Sequence, residues 1–145
     1  MRFCSIASGS SGNCIYVGSE NTHVLVDTGI SGKKMEAGLN SLDLTGRDLD
    51  GILITHEHSD HIKGLGVISR KYGIPIYTTG GTVDAMVRTN ALGKIPDGIF
   101  HEIKEDEPFE IGDLTVNPFS IPHDAAQPVG YRLECDGHSV GIATD

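Results

Sequence analysis

The chain has no Cys-x-x-Cys pair, no hydrophobic run of membrane-spanning length, no internal repeat and little positive charge. Each absence removes a class of protein. The three cysteines, Cys4, Cys14 and Cys135, are odd in number, which disfavours a disulfide framework and a structural zinc site of the cysteine type. They read as small buried apolar residues. No apolar stretch approaches the roughly 18 residues of a membrane span, and residues 1–7 turn polar too early for a signal peptide. A cytoplasmic protein with no membrane partner is expected. Eleven Lys and Arg against twenty Asp and Glu leave a net charge of −9, so no global basic field gathers nucleic acid. A local phosphate site stays open, because bound divalent cations outweigh side-chain charge where they sit.

What is present points to one layered domain of 145 residues. Glycine, at 19 residues, stands at about twice ordinary usage and suits a strand-rich chain with many tight turns. Strands are expected at 2–7, 14–17 and 23–26, joined by turns of Gly, Ser and Asn. Ser31 is placed to cap a helix to about residue 42, with Met35, Leu39 and Leu42 on one face. The continuous apolar run Gly51-Ile52-Leu53-Ile54-Thr55 suits a strand buried on both faces. A helix over 60–72 shows Ile62, Leu65 and Ile68 on one side and stops at Gly73 before Pro75. A short strand at 76–78 precedes a helix opening at Thr79 or Thr82 and running to about residue 92, with Val83, Met86 and Val87 inward. Strands return at 109–111, 114–121, 129–134 and 139–143, and Asp136-Gly137 predicts a type I′ hairpin. Strands, inserted helices and strands again imply an α/β layered fold with mixed sheets.

Directly after the buried strand the chain reads Thr55-His56-Glu57-His58-Ser59-Asp60-His61. Imidazole and carboxylate are fit ligands for a borderline divalent metal, and a turn at a strand end can aim several of them to one side. His56 and His58 can share one ion while Asp60 and His61 face a second. Glu57, between two of them, is open to a proton-shuttle role or to a solvent or packing role, alternation turning it away from its neighbours.

His56-x-His58-x-Asp60-His61 resembles the His-x-His-x-Asp-His signature of the metallo-β-lactamase fold hydrolases. Around it, Asp27-Thr28-Gly29 is similar to that family's early Asp motif, Ile121-Pro122-His123 to its later strand-end histidine, and Gly141-Ile142-Ala143-Thr144-Asp145 to the strand ending in its bridging aspartate. The segment Ser8-Gly9-Ser10-Ser11-Gly12-Asn13 with Cys14 is similar to the bacterial YycJ (WalJ, VicX) branch, which implies a nuclease. The resemblance implies an αββα sandwich represented mainly by its first sheet and helices, residues 1–145 forming the N-terminal portion and the second half truncated. On that expectation the first sheet's apolar inner face lacks its opposite layer.

By position, the resemblance implies that His56, His58 and His123 hold one divalent ion and that Asp60 and His61 hold another. The same resemblance implies that Asp145 bridges the two. Zinc is the expected metal, with manganese or iron as alternatives. The implied chemistry is attack by metal-bound hydroxide on a phosphodiester of DNA or RNA, with Asp60 and His61 catalytic. A small ester, thioester or lactam is an alternative substrate, and a non-catalytic metal-binding or partner-binding fragment a further one. Asp27 either orients a metal-bound imidazole or merely forms the turn before Gly29. Ser10, Ser11, Gly12 and Asn13 either cradle a substrate phosphate or make a tight hairpin turn. Lys33, Lys34, Lys63, Arg70 and Lys71 flank the motif as phosphate contacts or as solvated charge. His23, His101 and His138 are expected at surface or turn positions.

Overall fold

A computed structural model describes residues 1–144. Six strands, β1 (Arg2–Ala7), β2 (Cys14–Gly18), β3 (His23–Val26), β4 (Gly51–Leu53), β5 (Ile76–Thr79) and β6 (Phe100–Ile103), form one sheet in sequence order. The first three pair antiparallel through short turns. From β3 onward the pairs are parallel, as crossover helices require. Those helices are α1 (Gly32–Asn40), α2 (Ser59–Ile62), α3 (Leu65–Tyr72) and α4 (Gly80–Arg88). A second, antiparallel sheet runs in the order β10-β9-β8-β7, with β7 at Phe109–Ile111, β8 at Leu114–Ser120, β9 at Val129–Cys135 and β10 at His138–Ile142.

The period-2 alternation of strand side chains divides the apolar residues between two cores. Leu25, Ile52, Ile54 and Ile76 face the helices and pack with Met35, Leu39, Leu65, Ile68 and Met86. Their neighbours Val24, Val26 and Leu53 face the other way and pack on Leu114, Val116, Val129, Tyr131 and Leu133 of the second sheet. The expected bare inner face is thereby corrected. Val24, Val26, Leu53, Leu114, Val116 and Tyr131 all have 0% exposure, because four strands of the second sheet suffice to close the layer between the sheets. Thr115, Asn117, Arg132 and Glu134 alternate with these buried residues and are half-buried or exposed.

Local signals held where the chemistry was local. Ser31 caps α1 by accepting from the Lys34 N–H at 3.2 Å, and Asp136 and Gly137 take φ of 50° and 78° in the β9–β10 hairpin. Tertiary contact overrode the rest. The helix expected over 60–72 divides into α2 and α3 at Gly64, whose N–H donates to the Thr28 carbonyl at 2.8 Å. A Cβ there would stand 2.0 Å from the Ile30 oxygen. Helix α4 stops at Arg88, and its inner face uses Ala85 and Met86, leaving Val87 63% exposed. Strand β6 was not anticipated, since its burial pattern is mostly open and its four residues carry little apolar periodicity.

Candidate metal centre

The central parallel strands β3 and β4 end side by side, and open α/β sheets gather their ligands beyond such carboxyl ends. Asp27 follows β3 there, and Thr55 and His56 follow β4. Asp27 takes φ of 64°, a conformation that Asp and Asn tolerate better than most residues. Its carboxylate is buried and serves three donors. Thr55 gives its N–H to Oδ1 and its hydroxyl to Oδ2, both at 2.8 Å, and His61 Nδ1 lies 2.6 Å from Oδ2. Burial raises the Asp27 pKa, against the hydrogen bonds and charge of His61 and the bonds from Thr55, which lower it.

This network assigns two tautomers. The Thr55 hydroxyl has one hydrogen and spends it on Asp27, so at 2.9 Å from His56 Nδ1 it must accept the imidazole N–H. The other nitrogen, His56 Nε2, therefore presents a lone pair. It is buried and has no hydrogen-bond partner among the described residues, a cost that a metal ligand recovers on coordination. Burial, then the neighbouring His61, His58 and His123, push the His56 pKa down to about 3, so the ring is neutral as a ligand must be. His61 likewise donates from Nδ1 to Asp27, and its Nε2 lies 3.5 Å from Asp60 Oδ2.

His123, on the loop after β8, completes the cluster from the second sheet. Ligand atoms of His56, His58 and His123 all lie within 4.8 Å of one another, and His123 Nε2 is 3.2 Å from His58 Nδ1. Their ring centroids stand 4.6 to 4.7 Å apart, and His61 reaches 4.1 Å from His56. His56, His58 and His123, converging with one buried unpartnered nitrogen among them, are a donor set that would suit a divalent ion. The sheets are joined beneath it, for the Tyr131 hydroxyl donates to the Ile54 carbonyl at 2.7 Å and the Val129 N–H to the Thr55 carbonyl at 3.0 Å.

Asn13 binds the Ser-Gly turn to the same cluster. Its Nδ2 lies 3.0 Å from the Gly9 carbonyl and 3.2 Å from Asp60 Oδ2. The backbone pairs too: Asn13 N–H donates to the Asp60 carbonyl and Gly29 N–H to the Asn13 carbonyl, both at 2.8 Å. Gly29 cannot be larger, because a Cβ would fall 1.7 Å from the Asp60 oxygen. Ser10 and Ser11 are exposed at the turn's tip, while Gly12 is buried.

The structure thus brings His56, His58, Asp60, His61, His123, Asp27 and Asn13 together. Asp145, expected as the bridge, lies outside the described residues. Arg70 is engaged elsewhere, donating to the Leu92 and Lys94 carbonyls at 2.7 and 2.8 Å. His23 meets the Tyr16 hydroxyl at 2.6 Å and His101 stacks on Tyr77, outside the cluster. Thr55 was missed; its signal in the sequence was a hydroxyl directly before the first histidine.

A family model described as the metallo-β-lactamase superfamily matches residues 7–145. The exodeoxyribonuclease YycJ of Bacillus anthracis is 41% identical over 145 residues, all of this chain and 54% of that protein. The exodeoxyribonuclease WalJ of Streptococcus pneumoniae serotype 2 is 41% identical over 144 residues, 99% of this chain and 54% of that one. The chain spans about half the length of the curated relatives it matches. Among solved structures, a mutant metallo-β-lactamase from Cronobacter sakazakii aligns with a TM-score of 0.80 at 18% identity, covering 96% of this chain and 59% of that one. The Rm3 metallo-β-lactamase aligns at 0.77 and 21%, covering 96% and 56%. These two likenesses establish the fold.

Proposed function

The chain belongs to the metallo-β-lactamase superfamily, and from that premise we propose that it carries the metal centre of a metal-dependent phosphodiesterase, a nuclease acting on DNA. The observation that carries the reading is the buried Nε2 of His56, held as a lone pair by Thr55 and Asp27 and facing His58 and His123. The names of the two relatives support DNA as substrate.

In this reading His56, His58 and His123 hold one divalent ion, and Asp60 and His61 hold a second with Asp145. Zinc best suits the imidazole-rich set, with manganese or iron as alternatives. When bound, such ions acidify a water and neutralise charge at the scissile phosphate. The protein's own contribution is orientation. Asp27 fixes His61 through Nδ1, Thr55 fixes His56 through Nδ1, and Asn13 Nδ2, 3.2 Å from Oδ2, steers the Asp60 carboxylate beside His61. Ser10 and Ser11, at the open tip of the turn, are the proposed phosphate contacts, with Gly12 and Asn13 shaping the turn. The three cysteines are free, which suits the reducing cytoplasm as the place of action. No helix among the described residues is long and apolar enough to cross a membrane.

The test is cleavage of end-labelled DNA by the chain supplied with zinc or manganese. Metal-dependent release of nucleotides, abolished by His58→Ala and by chelator, is the expected result. Intact DNA together with His58-dependent hydrolysis of a small ester, thioester or lactam would overturn the nuclease reading.

A further inference from the structure

Glu57 stands between two of the cluster's histidines, yet its carboxylate neither joins them nor is left to solvent alone. It reaches across to the second sheet, where the Ala126 N–H lies 3.0 Å from Oε2 and 3.4 Å from Oε1. Ala126 is three residues past His123, and between them the Ala125 N–H donates to the His123 carbonyl at 3.0 Å. The segment 121–128 needs such a tether. It has no strand pairing of its own among the described residues, its prolines Pro122 and Pro128 carry no N–H to donate, and the backbone hydrogen bond across the loop, Ile121 N–H to the Pro128 carbonyl, is a long 3.4 Å. The next residue, Gln127, is anchored separately. Its carbonyl accepts from the Thr79 hydroxyl at 2.8 Å and its side-chain oxygen from the Gly81 N–H at 2.8 Å.

We propose that Glu57 is a positioning residue that holds the His123 loop against the cluster, so that the motif carrying two histidines also sets the place of the third. The proposal rests on His123 being a metal ligand, as read above. A charged acceptor on a backbone N–H makes a stronger bond than a neutral one, and this bond joins positions 69 apart in sequence. Because Glu57 is not in the ligand set, its loss leaves all three imidazoles present and removes only their fixed spacing.

The experiment compares the unaltered chain with Glu57→Ala, Glu57→Gln, His123→Ala and His56→Ala. Zinc affinity is read by competition with a chromophoric chelator, and exchange of the Ala126 amide is read by NMR on the metal-free chain. Glu57→Ala is expected to speed Ala126 exchange and weaken zinc binding about tenfold while the melting temperature stays close to that of the unaltered chain. Glu57→Gln, which keeps one acceptor oxygen, is expected to restore most of both. Unchanged Ala126 exchange in Glu57→Ala overturns the proposal, as does unchanged zinc affinity where His123→Ala weakens it. If neither His123→Ala nor His56→Ala alters zinc affinity, the metal reading has failed, and Ala126 exchange alone then decides whether Glu57 anchors the loop.

Discussion

From the first sheet, four candidate donors, His56, His58, Asp60 and His61, arrive within six residues of one strand end, and the two buried imidazoles are fixed by Asp27 and Thr55. From the second sheet one donor, His123, arrives on a half-open loop between two prolines. The first group is organised by burial and the second by tethers. Burial makes a network costly to break, since each orphaned partner keeps its desolvation penalty. Tethers govern where a group sits more than whether the fold survives. Mutations on the two sides are therefore expected to separate stability from metal affinity.

The largest effect falls on the buried side. Asp27→Ala strands the His61 imidazole and the two Thr55 donors at once, and is expected to remove about 3–5 kcal/mol of stability in denaturant unfolding, with metal binding lost as well. Asp27→Asn accepts the same positive φ and is expected to lose less, which separates the charge from the backbone geometry. A smaller effect is expected of Thr55→Val, which keeps the shape and deprives His56 Nδ1 of its acceptor. Unfolding should show a cost of about 1–3 kcal/mol, and zinc affinity should fall about 10-fold or more. Equal stability losses for Asp27→Ala and His123→Ala would break the comparison.

The smallest effect lies far from the site, where the two sheets meet at their turns. Ser19 Oγ donates to Asp113 Oδ1 at 2.6 Å, and bonds from Ser19, then Thr22, hold the Asp113 pKa below its ordinary value of 3.8. A carboxylate whose pKa is depressed by folding contributes stability above its unfolded pKa and loses it as pH falls through the folded value. Asp113→Asn should therefore lower the melting temperature slightly at neutral pH, and the difference should vanish on acidification below 3.8.

Much of this was legible in the sequence because it is local. The His56–His61 cluster, the Ser31 cap and the Asp136-Gly137 turn each declare themselves within a few residues. What was not legible depends on chain segments meeting. Gly64 interrupts a helix only because its N–H turns to the Thr28 carbonyl of another segment, and Asn13 is a structural hub only because Asp60 lies across the turn. The second sheet's closure over Val24, Val26 and Leu53 follows from Leu114, Val116, Val129, Tyr131 and Leu133 turning inward together, which no single strand announces. Glu57 shows the same limit. Alternation gave its direction correctly, but the Ala126 amide it meets is supplied by the other sheet.

The most direct test is metal content by elemental analysis of the purified, metal-reconstituted chain beside His58→Ala. The account predicts about two divalent ions per chain, largely lost in the variant. Fewer than one ion per chain, with His58→Ala no different, would contradict it.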